Sequence, residues 1–424
     1  MVSRSWQRVC SVRWLAACAA GCVLVFVMLR RRQVGLSGIG QMRVGNSTLT
    51  AKELLALAEA SVPRTAAASL EDAAILSSRD HRLLPIMGLR KKGLLCAVFS
   101  NADRSSVQTI LANMEYMTAS CDWALIFYGG DDSLIRLLQH ATHEKEGITI
   151  VKCLMAEPRE QLLRNFRVNL FATSPRAFHQ TTPTWSWQRG EAEIKGGAGE
   201  HNSLAYPKSL QYIYILDLLP AYERVWLLDS DISIVGFNVG DFLKAVDCAF
   251  PEQPLVAQPL IAESTQSYKY LNANAWIGTA IIATSTDFVE IQAPLLDALF
   301  FDWFLRFFVV PLLAPSHILG ADWGFDALFC NAARIFAQQN GRSESEHVCM
   351  IVTAGTPLRH LNRAALDETL GYDLKKYLNN ALMNIIQSAY PHVYQSGHDK
   401  SISPALFPAR YLQVNSFQNP VCFK

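Results

Sequence analysis

The segment Val225-Trp226-Leu227-Leu228-Asp229-Ser230-Asp231 constrains this chain most: an apolar run of strand length ends abruptly in two carboxylates around one small residue. Side chains alternate along an extended chain, which predicts that Asp229 and Asp231 point to the same side and converge on one hard cation. Open α/β sheets bind ligands at the carboxyl ends of their strands. Two carboxylates placed there suit Mg²⁺ or Mn²⁺ carrying a phosphate. The plainer reading is a strand followed by an Asx turn, because Asp and Ser are ordinary turn residues. Four apolar residues before the pair and Ile232 after it favour the metal reading.

Upstream, apolar runs of strand length alternate with helical spacing. Leu94 to Phe99, Trp123 to Tyr128 and Ile148 to Cys153 read as strands; Ser105 to Thr118, Ser133 to His143 and Leu204 to Leu219 read as helices. That alternation predicts βαβ units and an α/β fold with a mixed, mainly parallel sheet flanked by helices. Ser100 and Asn101, Gly129 to Asp131, and Asp229 with Asp231 then share the carboxyl edge. A nucleotide lying across it would put its base near the first two loops and its phosphates on the metal. Taken alone, Gly129-Gly130-Asp131 reads better as a turn. Thr181 to Asn202, polar and Gly-rich with two Trp, reads as an inserted loop.

The chain has 424 residues, half of them apolar, enough to bury a large core. Thirty-eight basic against thirty-seven acidic residues leave a formal net charge of +1, which gives no support to a nucleic-acid partner. Basic residues do cluster at the N-terminus, around the uncharged run Trp14 to Leu29. As a helix that run spans about 24 Å, short of the roughly 30 Å of a typical bilayer core but suited to the thinner membranes of the early secretory pathway. Small residues from Ala16 to Cys22 also fit a cleaved signal peptide. Arg30-Arg31-Arg32 immediately afterwards argue instead for a retained anchor.

The expected organisation is a cytoplasmic tail (1–13), a membrane anchor (14–29), a stem (30–92) and a lumenal domain (93–424) in the Golgi or endoplasmic reticulum. The stem carries the glycosylation triplet Asn46-Ser47-Thr48 and room for one short helix between Leu49 and Val62. A second apolar stretch, Leu299 to Ala314, contains Asp302 and Arg306, a spacing that pairs on a helix. It reads as a buried core helix, not a second span. No Cys-x-x-Cys pair occurs among the ten cysteines; Cys96 reads as a core thiol, and one or two disulfides are expected among the others.

Further candidates follow residue 320. Asp322 and Asp326 flank Trp323-Gly324-Phe325, a spacing that lines one helix face or, alternatively, faces an acceptor pocket. Asp322 alone also fits an N-cap. His360 is a candidate late-arriving metal ligand, against the plainer reading of a hydrogen-bonded loop residue.

The order of these segments resembles the domain-of-unknown-function 707 family of type II membrane proteins, itself similar to GT-A glycosyltransferases. The resemblance is carried by the strands at Leu94–Phe99, Asp122–Tyr128 and Val225–Asp231, by Gln258-Pro259, by Phe288-Val289-Glu290-Ile291-Gln292-Ala293-Pro294 and by Trp323-Gly324-Phe325-Asp326. Together these cover residues 93–365; the Thr181–Asn202 insert and the segment after Cys349 depart from the pattern. The resemblance implies a glycosyltransferase taking a nucleotide sugar, UDP-linked by expectation, and a glycan acceptor. Asp229 and Asp231 would hold Mn²⁺ or Mg²⁺ on the donor diphosphate; His360, in the segment that departs from the pattern, is a third candidate ligand from the residues alone. Ser100, Asn101 and Asp131 would line the nucleotide. Asp326, or Asp322, would take the acceptor proton, and Trp323 would offer an apolar face to a sugar ring. Two rivals stand beside this. Asp229-Ser230-Asp231-Ile232-Ser233 approximates the first motif of haloacid-dehalogenase-type phosphatases, with Asp229 as nucleophile. A membrane-anchored glycan-binding or scaffolding protein would retain the fold without the chemistry.

Overall fold

The computed structural model describes residues 41–44, 47–62, 92–117, 121–130, 132–142, 147–152, 207–262, 273, 281–342, 347–353, 355–361, 372–394 and 413–414. The expected membrane anchor, the Thr181–Asn202 insert, Asn46 and Asp131 lie outside these residues.

In chain order come β1 (Gln41–Val44), β2 (Ser47–Thr50), α1 (Ala51–Ser61), β3 (Lys92–Ala102), α2 (Arg104–Tyr116), β4 (Asp122–Gly130), α3 (Asp132–Thr142) and β5 (Ile148–Lys152). After residue 207 follow α4 (Lys208–Tyr212), β6 (Tyr222–Asp229), β7 (Ile232–Ser233), α5 (Val239–Cys248), β8 (Val256–Pro259) and β9 (Ile261–Ala262). The last part holds β10 (Ala283–Ser285), β11 (Leu295–Asp297), α6 (Ala298–Phe304), α7 (Leu313–Leu319), α8 (Asp326–Gln339), β12 (Cys349–Val352), β13 (Leu358–His360), α9 (Tyr372–Ala389) and β14 (Gln413–Val414).

Nine strands form the central sheet, in the order β14-β10-β12-β8-β11-β6-β3-β4-β5. β5, β4, β3 and β6 form a parallel block. β11 runs against both its neighbours, β6 and β8, and β10 runs against β12 and β14. The expected mixed, mainly parallel sheet is therefore present. Both faces are covered, which is why its strands read as continuous apolar runs. Leu95, Ala97 and Phe99 of β3, with Val225 and Leu227 of β6, pack under the helical layer built from α6, α7, α8 and α9. The alternate residues Leu94, Cys96 and Val98, with Trp226 and Leu228, face α2 and α5 on the other side.

The apolar stretch behaves as expected of a core element. Ala298–Ser316 is long and apolar enough to cross a membrane. It is instead packed inside the domain, with Phe300, Phe301, Phe304, Leu305, Phe308, Val309 and Leu312 completely buried. A π-helical turn at Leu305–Val309 breaks its regularity. Arg306 donates to both carboxylate oxygens of Asp302 one turn earlier, as the spacing predicted. The short helix expected between Leu49 and Val62 is α1, and it is docked on the domain: Ala58 is fully buried in the core with Leu55 and Val62 against it. Cys330 and Cys349 form a buried disulfide joining α8 to β12, and Cys248 is disulfide-bonded as well. Cys96 is a free, buried thiol, as read.

Candidate functional site

Parallel pairing of β3 with β6 sets Phe99 opposite Asp229, so both strands end at one edge. Asn101 lies opposite Gly129 of β4 at the same edge. Asp229, Ser100, Asn101 and Gly129-Gly130 thus lie along one edge, with Gly129 and Gly130 still paired as strand residues of β4 where the sequence suggested a turn. One detail differs. β3 continues to Ala102, so Ser100 is a fully buried strand residue and not a loop residue presented to a ligand.

The expectation that Asp229 and Asp231 alternate along one extended chain fails. β6 stops at Asp229, Ser230 and Asp231 form a turn, and pairing resumes at Ile232. The carboxylates therefore take separate partners. Asp229 shares the strand parity of Val225 and Leu227, which face the helical layer. There the ammonium of Lys208, the first residue of α4, lies 2.5 Å from Asp229 Oδ1. Asp231 meets His360, whose Nε2 is 3.6 Å from Asp231 Oδ2. The remaining parts are close enough to be felt. Burial pushes the Asp229 carboxyl up; Lys208 pulls it down, Asp231 pushes it further up, and His360 pulls it down.

His360 arrives through a small second sheet, β7-β13-β9, folded beyond the carboxyl ends of β6 and β8. β13 pairs antiparallel with β7, setting His360 opposite Ile232. The amide of Leu361 also donates to the carbonyl of Asp231 at 2.9 Å. His360 is consequently a buried strand residue beside the acidic turn, not the loop residue of the plainer reading.

α2 holds the turn from behind. Asn113, buried, donates through Nδ2 to the Ile232 carbonyl at 2.8 Å and accepts from the Ile234 amide at 3.0 Å. Ser106 Oγ lies 3.3 Å from Ser230 Oγ, and the Tyr116 hydroxyl donates to the Phe237 carbonyl. On the opposite flank the Asp229 amide donates to the Gln292 carbonyl, and the Trp226 indole to that of Ala293. The Phe288–Pro294 run thus clamps the strand that carries the pair.

Asp322 and Asp326 do not share a helix face. Asp322 sits in the turn before α8, which begins only at Asp326; Gly324 between them has φ +106°. Nor is Asp322 an N-cap, that position being Phe325. Asp322 Oδ2 instead accepts the backbone amide of Lys208 at 3.2 Å, which brings it to the residue already paired with Asp229. Asp326 Oδ1 accepts from the Ala327 amide. Tyr212 ties the group together: burial pushes its phenol well up, and the charges of Asp229, Asp322 and Asp326 all push it further. Trp323, 41% exposed, projects at the same turn.

Two carboxylates and an imidazole are a suitable donor set for Mn²⁺ or Mg²⁺. The 3.6 Å between Asp231 and His360 is close to the roughly 3.0–3.5 Å that separates two ligands bonded at about 2.1 Å to one ion. Among the described residues no three such side chains are already gathered into a metal cluster, Asp229 being turned to Lys208. Sequence reading missed Lys208, Tyr212 and Asn113. Lys208 alone left a signal: it is the one cation in the mostly apolar helical stretch that precedes the acidic strand.

No family model and no curated protein matches the chain, so its likeness to the domain-of-unknown-function 707 family rests on the motifs alone. Among solved structures it is similar to the galactosyltransferase LgtC in complex with donor and acceptor sugar analogs, at 9% identity and TM-score 0.25 over 69% of this chain and 95% of that one. It is also similar to the mannosyltransferase PcManGT from Pyrobaculum calidifontis in complex with GDP-Man and Mn²⁺, at 10% identity and TM-score 0.28 over 80% and 86%. Both neighbours are glycosyltransferases.

Proposed function

We propose that this chain is a glycosyltransferase that takes a nucleotide-sugar donor at the carboxyl edge of β6 and transfers the sugar to a glycan acceptor. One observation carries the reading. Asp229 ends β6 and Asp231 lies in the turn that follows; they meet Lys208 and His360 there, with Asp322 and the exposed Trp323 on the segment that leads into α8. A paired acidic turn with a neighbouring cation, at the ligand-binding edge of such a sheet, suits a diphosphate.

Asp229, Asp231 and His360 are the residues that would hold Mn²⁺ or Mg²⁺, which supplies charge neutralisation on the leaving diphosphate. In the reaction the bond from the anomeric carbon to the diphosphate breaks and one to the acceptor oxygen forms. Asp326 takes the acceptor hydroxyl proton, a role suited to a carboxylate beside buried aromatics. Asp322, fixed by the Lys208 amide, lies on the donor side and is the weaker candidate for that proton. Trp323 presents its face to a sugar ring. Asn101, at the end of β3, extends the nucleotide edge, with UDP the expected carrier. The retained N-terminal anchor would make it a type II protein of the Golgi or endoplasmic reticulum, and the Cys330–Cys349 disulfide suits that oxidising lumen.

The test uses the full-length chain in mild detergent with Mn²⁺, a panel of nucleotide sugars and mixed glycan acceptors, reading nucleoside diphosphate release. Release from one donor, abolished in the Asp229→Ala, Asp231→Ala double variant and by chelation, is expected. Release that survives the double variant sinks the assignment.

A further inference from the structure

Lys208 entered above only as a neighbouring cation, yet it is the residue most tightly engaged with the acidic turn. Its Nζ is 2.5 Å from Asp229 Oδ1, and its backbone amide is held by Asp322 at 3.2 Å. Its side chain is 23% exposed and that of Asp229 20%. The pair is therefore partly desolvated and still reachable from the edge where a donor would lie. A lysine ammonium is a cation at neutral pH, and this one is set directly against the Asp229 carboxylate. One cation already occupies an oxygen that the proposed metal site needs. The same side chain is compact, flexible and strongly attracted to phosphate.

We propose that Lys208 is a built-in counter-cation of the donor site: it occupies Asp229 in the empty protein, competes there with the divalent ion, and moves to the diphosphate of the nucleoside diphosphate moiety when both bind. This rests on the donor-site assignment above and deepens it. Its consequence is an ordered site. The acidic turn is never left uncompensated, metal alone binds weakly because it must displace Nζ, and the diphosphate gives Nζ a second anion to hold. Asp322 keeps the Lys208 backbone in place during that exchange, so only the side chain moves.

The experiment measures Mn²⁺ binding by the loss of the free Mn²⁺ resonance signal, and then UDP and GDP binding at saturating Mn²⁺ by calorimetry. It uses the full-length protein, Lys208→Met and Lys208→Arg at one pH. Lys208→Met is expected to bind Mn²⁺ alone about tenfold tighter, since a close competing charge has gone. It should also bind the diphosphates about tenfold more weakly at saturating metal. Lys208→Arg retains the charge and should restore most of both effects, which separates loss of charge from loss of fold. Unchanged or weaker Mn²⁺ binding in Lys208→Met, with Lys208→Arg like the native protein, overturns the competition. Tighter metal with undiminished diphosphate affinity overturns the transfer to phosphate. If native protein and both variants bind neither Mn²⁺ nor any nucleoside diphosphate, the donor-site assignment itself falls.

Discussion

Gly324 joins the Asp322-Trp323 turn to α8, and its replacement by alanine probes how that turn is held. With φ at +106° the backbone is in a region that L side chains rarely adopt, and an added Cβ would lie 3.0 Å from Met383 Cγ and 3.1 Å from Ile386 Cδ1 on α9. Two costs therefore combine: about 1–3 kcal/mol for the backbone conformation and a further ~1–3 kcal/mol for overpacking. The displacement also has a direction. Asn379, one turn before Met383 on α9, faces the amides of Asp322 and Trp323, its Oδ1 3.4 Å from each. Pushing α9 outward loosens those contacts and with them Asp322. Gly341 is the matched control, because its φ is +72° but nothing lies within 4 Å of an added Cβ. Urea unfolding of Gly324→Ala and Gly341→Ala should show roughly 2–6 kcal/mol lost in the first and only about 1–2 kcal/mol in the second. Only Gly324→Ala should also lower nucleotide affinity. Equal destabilisation by both would refute the packing argument.

Three other perturbations follow from the same contacts. Asn113→Leu strands the Ile232 carbonyl and the Ile234 amide in the core, at about 1–3 kcal/mol for each group; thermal unfolding should show it, together with weakened metal binding, whereas a silent variant contradicts the bracing role of α2. The Cys330→Ala, Cys349→Ala pair opens a bridge with a sequence separation of 19 residues and should cost ~3 kcal/mol by chain entropy, read as a lowered urea midpoint. Asp103 caps α2 by accepting the Ser106 amide at 2.9 Å, and Asp103→Ala should cost about 1 kcal/mol. Burial raises its carboxyl, but the hydroxyls and amides of Ser105 and Ser106 outweigh that and leave it below its ordinary value. A depressed value gives stability that is full above the unfolded pKa and lost as pH falls through the folded one. The difference between variant and native protein should therefore vanish on acidification.

What could be read from sequence was local. β3, β4 and β5 and the helices after the first two were visible because each apolar run has strand length and each helix has its own spacing. The helix expected over 204–219 is much shorter: α4 ends at Tyr212, and the chain continues through 3₁₀ turns at Ile213–Ile215 and Leu219–Ala221, the latter opened by Pro220. At the other end Pro207, inside the expected span, is the extended N-cap of α4, because a proline disfavours helix at the residue before it. Failure at the acidic pair had a different cause. Alternation presumes an extended chain, and Ser230-Asp231 turns. His360 was uncertain because its place is fixed by strand pairing with a residue 128 positions earlier, Ile232, and no local pattern encodes that register. Lys208 escaped notice for the same reason, its partner Asp229 lying beyond two helical turns and a strand. Long-range pairing, not local propensity, assembles the site.

The central claim is that the acidic turn is a metal-assisted diphosphate site. Isothermal titration of UDP and GDP into the full-length protein, with and without Mn²⁺, tests it most directly, with Asp229→Asn, Asp231→Asn as the paired variant. The account predicts Mn²⁺-dependent binding of at least one of the two, lost in that variant while thermal stability is retained. Binding that is indifferent to Mn²⁺ and to both carboxylates would contradict it.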